Sequence, residues 1–491
     1  MLYPPKRRFK EKIQKGRLVP IYTEAELELS PLEAYSILKN NHFSFFLDSA
    51  RTHPVTGRYS FIGIDPFLIF KAKGNLIEIK SEGGFKKLEG DPFVVLKEIL
   101  DNYRVSPEEG LPNFIGGAVG YIGYDCLHFF EDVPRRAIDD LLLPDIFFIF
   151  VDLVIAFDHL ENKIKIIALS DANGKSYDEA VDKITKAYEK LRSHSPIELD
   201  RTQADLSYNS VVKSNFTRSE FESIVRRAKK YIKAGDIYQA NLSHRFWTKC
   251  DVPAFELYKT LRRINPSPFA CFLDFGELKV VSSSPERLLK VVGRDVQTRP
   301  IAGTRPRGGT SEEDFEKSLE LILNEKERAE HIMLVDLERN DLGRVCQYGT
   351  VRVNELMVLE EYSHVIHIVS NVQGRLKDRF DRFDLIRAAF PGGTITGCPK
   401  VRCMQIIDEL EPLARGLYTG SVGYLSFNGD MDLNIIIRTF VIKGQDAYVQ
   451  VGAGIVGDSA PTREYYETLY KAEALLKALK ATKEPCYIPR N

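Results

Sequence analysis

Two pairs of glutamates, far apart in the chain, have the spacing of side chains that share one face of a helix. Glu327 and Glu330 lie three residues apart, and Glu464 and Glu467 repeat this spacing, followed by Lys471. Side chains three or four residues apart meet on a helix surface. Carboxylates from two helices that converge on one pocket can hold Mg²⁺, which prefers oxygen ligands. The alternative is that both segments are solvent-exposed helix faces with ordinary ion pairs.

Two glycine-rich segments are candidates for binding an anionic ligand. The segment PGGTITGCPK (391–400) leads into a predicted helix and carries Thr394 and Lys400. Backbone N–H groups at a helix N-terminus can bind a carboxylate. The segment VGAGIVGD (451–458) has the small residues that allow a ligand to approach the backbone closely. Each segment taken alone also fits an ordinary turn.

Arg438 and His367 both lie among apolar residues. Arg438 belongs to DLNIIIRTF, which we predict to be a strand, and a buried guanidinium requires a partner. That partner is either a ligand carboxylate or an acidic side chain of the protein itself. His367, in EYSHVIHIVSNV, also fits a residue of the core.

The composition excludes several functional classes. A chain of 491 residues exceeds one ordinary core, which predicts two domains or one large composite domain. Acidic and basic residues nearly cancel, 69 against 68, so we expect neither a nucleic-acid surface nor a membrane-binding face. The basic N-terminal stretch lacks an apolar signal core, and no segment approaches the roughly 20 apolar residues that cross a bilayer. The seven cysteines are scattered without a CxxC pair, which is typical of reduced thiols in a cytoplasmic enzyme.

The elements that must position these residues form two regions. Strands and turns are predicted over 17–170, followed by a helix at 176–193, a polar boundary near 194–213 and a helix that begins with a capping box at Thr217 and Glu220. Further helices are predicted at 312–343, 382–390, 399–411 and 460–481, and strands near 237–247, 268–282, 417–427, 432–443 and 446–457. Because the strands are mostly adjacent, we expect an α+β fold in which helices pack outside large, mainly antiparallel sheets. The predicted regions are an N-terminal region at 1–200 and a catalytic domain at 214–482.

The second region resembles the chorismate-binding enzymes, which include anthranilate synthase component I, aminodeoxychorismate synthase component I, isochorismate synthase and salicylate synthase. The matching runs are GDIYQANLSHRF (235–246), SSSPERLL (282–289), RPIAGTRPRG (299–308), ERAEHIMLVDLERNDLGRV (327–345), HIVS (367–370), GGTITGCPKVR (392–402), GLYTGSVGY (416–424), IIIRT (435–439), VGAGIV (451–456) and EYYETLYKAEALL (464–476). The first region resembles the two aminating members through GRYSFIG (57–63), GGAVGYIGYD (116–125) and FDHL (157–160). The resemblance implies the fold of anthranilate synthase component I.

The resemblance also implies a role for each matching position. Glu330 and Glu467 would bind Mg²⁺, with Glu327 and Glu464 close by, and the metal would hold the ring carboxylate of chorismate. The residues that would bind the substrate are Gly303, Thr304, Tyr418, Arg438, Gly452, Ala453, Gly454 and Lys471. His367 would assist loss of the C4 hydroxyl, Thr394 would lie in the same pocket, and Glu286 would be a general acid with a raised pKa.

Gln239 separates amination from hydration within this family. Isochorismate and salicylate synthases carry at this position a lysine that activates water, and glutamine cannot take a proton at neutral pH. Ammonia is a competent nucleophile without such a base, so the resemblance implies an aminating enzyme. No cysteine lies in the G-x-C-x-G turn of an amidotransferase, which implies that a separate glutaminase subunit supplies the ammonia.

The choice between the two aminating reactions rests on conflicting residues. Aminodeoxychorismate synthases often have a nucleophilic lysine at the position of Ala302, whereas anthranilate synthase has alanine there, as this chain does. Against this, DIYQANLS, SSSPER, ITGCPK and GDMDLNI look more like the aminodeoxychorismate branch. The tryptophan-feedback pocket of anthranilate synthase also looks altered, with FLDS at 46–49 and Pro-Phe-Ala at 268–270. We therefore favour 4-amino-4-deoxychorismate as the product, with anthranilate as the alternative and a non-catalytic chorismate-binding paralogue as a third hypothesis.

Overall fold

The computed structural model describes residues 1–13, 17–40, 43–50, 57–105, 108–170, 176–193, 212–361 and 365–483. Most of the polar boundary predicted near 194–213 lies outside these residues. The helices are α1 (Lys6–Lys12), α2 (Pro31–Leu38), α3 (Pro92–Asp101), α4 (Tyr177–Arg192), α5 (Arg218–Ala234), α6 (Ala254–Ile264), α7 (Ser311–Leu323), α8 (Glu325–Val345), α9 (Arg382–Ala389), α10 (Lys400–Leu410) and α11 (Pro461–Lys483). Short 3₁₀ turns occupy Tyr124–Phe129 and Gly393–Ile395.

The strands cover most of the remaining described chain. They are β1 (Leu2–Tyr3), β2 (Arg17–Ala25), β3 (Ser44–Asp48), β4 (Tyr59–Ile64), β5 (Leu68–Lys73), β6 (Leu76–Ser81), β7 (Gly84–Glu89), β8 (Arg104–Val105), β9 (Gly117–Ile122), β10 (Ile146–Val151), β11 (Leu153–Asp158), β12 (Lys163–Ser170), β13 (Lys213–Ser214), β14 (Gln239–Lys249), β15 (Phe269–Phe275), β16 (Leu278–Ser284), β17 (Arg287–Val292), β18 (Asp295–Arg299), β19 (Ile301–Pro306), β20 (Arg352–Glu361), β21 (Val365–Arg375), β22 (Gly397–Cys398), β23 (Ser421–Ser426), β24 (Met431–Asn434), β25 (Thr439–Lys443) and β26 (Asp446–Ile455).

These strands form two large sheets. The first sheet has 14 strands, with β1-β2-β12-β11-β4-β3-β15-β16-β25-β26-β14-β13 in order, β8 beside β2 and β22 beside β14. The second has 12 strands, with β19-β21-β18-β17-β24-β23-β9-β10-β5-β6-β7 in order and β20 on the other edge of β21. Apart from the short parallel pair β2–β8, the described strand pairs are antiparallel. The predicted α+β class with mainly antiparallel sheets is confirmed.

Both predicted regions contribute strands to both sheets. In the first sheet, β3 of the N-terminal region pairs with β15, so that Asp48 lies opposite Ala270. In the second sheet, β9 pairs with β23 of the catalytic region from Ile122 opposite Ser421 to Gly117 opposite Ser426. The N-terminal strands therefore extend the sheets on which the candidate site is built.

Side chains on the two faces of the first sheet enter different cores. Phe45 packs into the cluster that lies between the two sheets, whereas its neighbour Phe46 packs into the cluster beneath the outer helices. This alternation follows from the two-residue period of a strand. Helices α2, α4, α6 and α11 cover the outer face, where Tyr258 and Leu475 join the second cluster. The packing has the predicted layers, with helices outside the sheets.

The predicted helix at 312–343 is wrong in one respect, because the structure divides it into α7 and α8. Asn324 separates the two helices, and its side chain accepts a hydrogen bond of 3.0 Å from the backbone N–H of Glu327. An asparagine that caps a new helix in this way satisfies backbone donors that a continuous helix would not expose. The capping box predicted at Thr217 and Glu220 is confirmed.

Two predicted strands are interrupted. The segment 268–282 turns at Gly276, with φ of +78°, so that β15 and β16 form a hairpin. The segment 432–443 separates into β24 and β25, which belong to different sheets. Arg438 lies between them with φ of +50°, so the prediction that it belongs to a strand is wrong.

In the described part of the chain, no helix combines the length and hydropathy needed to cross a bilayer. The six cysteines within the described residues are free thiols, in agreement with the prediction for those positions.

Gly120 tests the close approach of strands that joins the two regions. It lies in β9, between β10 and β23, and a Cβ atom there would stand 1.9 Å from the carbonyl oxygen of Phe147. We expect Gly120→Ala to lower the free energy of unfolding by about 3 kcal/mol, since overpacking of this kind costs 1–3 kcal/mol and the clash is with backbone. Gly90→Ala is the control, because a Cβ at Gly90 has nothing within 4 Å. Equal denaturant midpoints for the two variants would contradict this packing.

Candidate functional site

The two predicted acidic helices converge. Glu330 of α8 lies close enough to Glu327 and to Glu467 of α11 for both of their charges to act on its protonation. Burial is the main cause that raises the pKa of Glu330, the amide of Gln239 lowers it, and the two neighbouring carboxylates raise it again. Burial, partly offset by a hydrogen bond with Ser459, also raises the pKa of Glu464, and the charge of Glu467 adds to the increase. The structure thus brings together two pairs of glutamates that are separated by more than 130 residues in the sequence.

The packing of α8 and α11 fixes this convergence. Helix α8 lies against β19 and β21 of the second sheet, and α11 lies against β26 of the first sheet and against α5 and α6. The ammonium of Lys326, at the start of α8, lies 2.9 Å from the carboxylate of Asp458, which follows β26. Both side chains of this pair are exposed, so the ion pair adds little stability and the apolar packing positions the helices.

Each carboxylate has a defined partner in this structure. The Nε2 of Gln239 donates a hydrogen bond of 2.9 Å to Glu330. The ammonium of Lys471 lies 2.8 Å from Glu467 and also donates to the carbonyl oxygen of Gly452 at 2.8 Å. The guanidinium of Arg305 lies 3.2 Å from Glu327. Lys471 therefore connects the acidic cluster to the backbone of β26.

Strand β26 forms a surface without side chains beside this cluster. A Cβ at Gly454 would stand 2.7 Å from Nε2 of Gln239 and 3.9 Å from Glu330, and one at Gly452 would stand 2.7 Å from the hydroxyl of Tyr418. Ala453, between them, points the other way into an apolar cluster, so the prediction of a substrate contact can hold only for its backbone. Gly452 and Gly454 thus place Tyr418 and Gln239 against the strand.

His367 lies at the other side of the site, on β21. Its Nδ1 donates to the carbonyl oxygen of Gly303 at 3.0 Å, which makes Nε2 the basic nitrogen of the neutral ring. Burial, together with the nearby charge of Arg438, lowers the pKa of His367 to about 4. Gly303 has φ of +61°, and a Cβ there would stand 3.0 Å from a carboxylate oxygen of Glu327. Gly303 therefore connects His367 to the acidic cluster.

Glu286 and Thr394 lie beside Arg438. Burial raises the pKa of Glu286 to about 8, while the Thr394 hydroxyl and the charge of Arg438 act in the opposite direction. Glu286 Oε1 and Thr394 Oγ1 are both buried and make no hydrogen bond with the described residues. Such atoms cost free energy unless a ligand or water satisfies them. A buried carboxyl that keeps its proton at neutral pH can act as a general acid, as predicted from the resemblance.

Two further residues singled out in the sequence, Thr304 and Lys400, are not shown to face the site. The backbone of Thr304 pairs with that of His367 across β19 and β21, but its side chain lies outside what the structure describes. The ammonium of Lys400 pairs with Asp341 and donates to the carbonyl oxygen of Ala389 at 2.7 Å. Lys400 therefore belongs to an internal ion pair and is not available to an anionic ligand in this structure.

The four glutamates have the chemistry of a magnesium site. They are oxygen donors, and burial and mutual repulsion disfavour ionisation of Glu330 and Glu464, an effect that a bound cation would relieve. In the part of the chain that the structure describes, no three acidic, histidine or cysteine side chains are already arranged around a metal position. Glu467 and Glu327 would have to exchange Lys471 and Arg305 for the metal. The residues fit the ion in type and location.

The sequence interpretation missed Glu338. It lies on the buried face of α8 with His331, Leu334, Val335 and Asp341. An acidic residue at a position where the helical period places apolar side chains is the signal that could have identified it.

A cavity of about 400 Å³ lies away from these residues. It is lined by the segments assigned above to the altered feedback pocket, including Leu47, Asp48, Phe269 and Ala270. Phe46 is not among its lining residues, because it faces the opposite side of β3. The cavity and the candidate site are separate, and only the candidate site contains the converging glutamates.

Comparison with known proteins shows which proteins the chain is similar to. The sequence matches the family described as chorismate binding enzyme over residues 44–477. It is 42% identical to anthranilate synthase component 1 of Acetivibrio thermocellus, over 99% of this chain and 100% of the relative. It is 43% identical to aminodeoxychorismate synthase component 1 of Bacillus subtilis (strain 168), over 96% of this chain and 97% of the relative.

A solved structure shares the fold. The crystal structure of anthranilate synthase component I from Streptococcus pneumoniae TIGR4 superposes with a TM-score of 0.77 and 35% identity, covering 92% of this chain and 100% of that one. The predicted anthranilate synthase component I-like fold is confirmed.

The neutral state of His367 predicts a pH dependence of stability. The unfolded ring binds a proton near pH 6.5, whereas the folded ring does so only near pH 4, so its contribution to stability is complete above pH 6.5 and is lost as the pH falls. His367→Gln has no such loss. Lowering the pH from 7 to 5 should therefore reduce the unfolding free energy of the wild type by about 2 kcal/mol more than that of the variant. Denaturant titrations measure this difference. A ring signal of His367 itself, identified by its absence in His367→Gln, that titrates near pH 6.5 by NMR would contradict the assignment.

Proposed function

Because this chain belongs to the chorismate-binding enzyme family, we propose that it aminates chorismate with the help of Mg²⁺. The observation that carries the proposal is the convergence of α8 and α11, which brings Glu330 and Glu467 together beside Gln239. In this proposal, a metal-binding group, a proton donor and a nucleophile site surround the substrate.

Glu330 and Glu467 would hold the metal, with Glu327 and Glu464 nearby. When bound, Mg²⁺ supplies positive charge that binds the ring carboxylate of chorismate and offsets its charge. Chorismate is a dicarboxylate, so its second carboxylate needs another cation. Lys471 and Arg438 are the cations of the chain beside Gly452 and His367, respectively.

Gln239 supports ammonia as the nucleophile. Its Nε2 is held by Glu330, and its Oε1 is buried and makes no hydrogen bond with the described residues. That oxygen can accept a hydrogen bond from ammonia, but an amide cannot remove a proton from water. The side chain would therefore position an N–H nucleophile without activating water.

Loss of the C4 hydroxyl requires a proton. In the overall amination, the new C–N bond replaces the C–O bond, and a proton leaves with the hydroxyl as water. Glu286 keeps its proton at neutral pH and can donate it. His367 is neutral in the structure, and a dianionic substrate beside its ring would favour the protonated form and allow it to assist.

We favour 4-amino-4-deoxychorismate, an intermediate on the route to 4-aminobenzoate and folate, as the product. The 400 Å³ cavity is lined by Phe269 and Ala270, which offer a tryptophan ligand neither a phenolic hydroxyl nor a long thioether. A route to this product without a nucleophilic lysine at Ala302 would be direct addition of ammonia. Ala302 is also the observation that favours the alternative, formation of anthranilate and pyruvate for tryptophan biosynthesis.

A separate glutaminase subunit would supply the ammonia. The similar proteins of Acetivibrio thermocellus and Bacillus subtilis are both named as component 1 of their enzymes, which supports a second component. We propose a cytoplasmic complex in which ammonia passes from that subunit to Gln239.

The product assay tests the reaction. The chain is incubated with chorismate, Mg²⁺ and ammonium at alkaline pH, where free ammonia replaces the glutaminase. We expect chorismate to be consumed and 4-aminobenzoate to form only after a lyase is added. Fluorescent anthranilate formed without a lyase would replace the favoured product by the alternative, and unchanged chorismate would support a non-catalytic paralogue.

Substitution of the metal-binding glutamates tests the site. We expect Glu330→Gln and Glu467→Gln each to reduce turnover at least about 100-fold and to weaken Mg²⁺ binding in calorimetry, because a neutral amide cannot replace a charged ligand. Glu473→Gln is the matched control, since Glu473 lies on the same helix in an exposed ion pair with Lys477. Unchanged Mg²⁺ affinity in both site variants, with the fold retained, would refute the metal assignment.

A further inference from the structure

A second buried carboxyl lies behind the candidate site. Glu338 of α8 is 3% exposed, and its Oε2 accepts a hydrogen bond of 3.0 Å from the hydroxyl of Thr298 on β18. A Cβ at Gly393 would stand 3.6 Å from its Oε1. The side chain therefore lies between β18 and the turn that carries Thr394.

This turn is the spacer between Glu338 and Glu286. Gly393 touches Glu338, and the next residue, Thr394, lies beside Glu286. Glu286 Oε1 and Thr394 Oγ1 are buried and lack a hydrogen-bond partner among the described residues. The two buried carboxyls thus lie beside neighbouring residues of one short turn, and the charge of Glu338 acts on Glu286.

The cation beside Glu338 is already paired with another carboxylate. Lys400 of α10 lies next to Glu338, but it pairs with Asp341, one turn further along α8. Burial and the charge of Asp341 raise the pKa of Glu338, while Lys400, the Thr298 hydroxyl and the backbone of Gly393 lower it. These are the charged and polar groups that face Glu338. Arg438 acts on Glu286, and Arg344 acts on Asp341, so Lys400 is the cation that faces Glu338 itself.

We propose that Glu338 is a positioning residue that keeps Glu286 protonated, by placing a second buried carboxylate behind the Gly393–Thr394 turn. Ionisation of Glu286 would place a second negative charge beside the same turn as that of Glu338, in an environment of low dielectric constant. Glu286 therefore retains its proton at neutral pH and can deliver it to a leaving hydroxyl. The catalytic meaning of this inference rests on the proposed function, whereas the electrostatic interaction does not.

Glu338→Gln tests the inference with little change in shape. The amide oxygen can still accept from Thr298, but the negative charge is absent, so Glu286 should ionise at lower pH. We expect the alkaline limb of kcat/KM for chorismate to move down by about one pH unit. Glu338→Asp keeps the charge and should restore most of the wild-type profile. Glu222→Gln, a carboxylate-to-amide change on α5, is the remote control.

Infrared titration of the resting protein separates the inference from the proposed function. The band lost in Glu286→Gln identifies the protonated Glu286 carboxyl, and its midpoint is then compared in wild type and Glu338→Gln. A lower midpoint in Glu338→Gln supports the inference even if chorismate is not the substrate. An unchanged midpoint in a folded variant would overturn it, even if chorismate is turned over.

Discussion

The mutual repulsion of carboxylates is the interaction on which the rest of the site depends. Glu330 is brought beside Glu327 and Glu467 in a place that is mostly shielded from water, and this raises the free energy of its ionised form. The protein maintains that arrangement through the packing of α8 on the second sheet and α11 on the first. This repulsion would be relieved by a bound cation, which is the electrostatic basis of the metal site that we propose.

The same principle operates at the other end of the site with the opposite outcome. Around Glu330, the neighbouring carboxylates Glu467 and Glu327 are paired with Lys471 and Arg305, which the proposed metal would replace. Around Glu286, burial outweighs the nearby charge of Arg438 and favours the protonated acid. In the proposed function, one carboxylate would thus bind a metal and another would donate a proton, because the two differ in their surroundings and not in their chemistry.

Much of this arrangement could be predicted from the sequence, and the exceptions have physical causes. The spacing of Glu327 and Glu330 and the capping box at Thr217 are local signals, and both appear in the structure as helix features. The break at Asn324 was missed because a helical pattern continues on both sides of a residue that only its cap geometry identifies. Arg438 was assigned to a strand because its neighbours are apolar, yet the chain there passes from one sheet to the other. Which distant glutamates meet was implied by the resemblance and could not follow from spacing, since it depends on pairing between strands that are hundreds of residues apart.

The joining of both regions within each sheet also bears on how the protein is made. Strand β3 pairs with β15, which lies more than 200 residues later in the chain, and β9 pairs with β23, nearly 300 residues later. While the chain emerges from the ribosome, the early strands therefore have unpaired edges for most of the time of synthesis. Contacts of such long range also slow folding, because their loops must close before the sheet gains its hydrogen bonds. The nascent N-terminal half therefore exposes these strand edges until the last strands are synthesised.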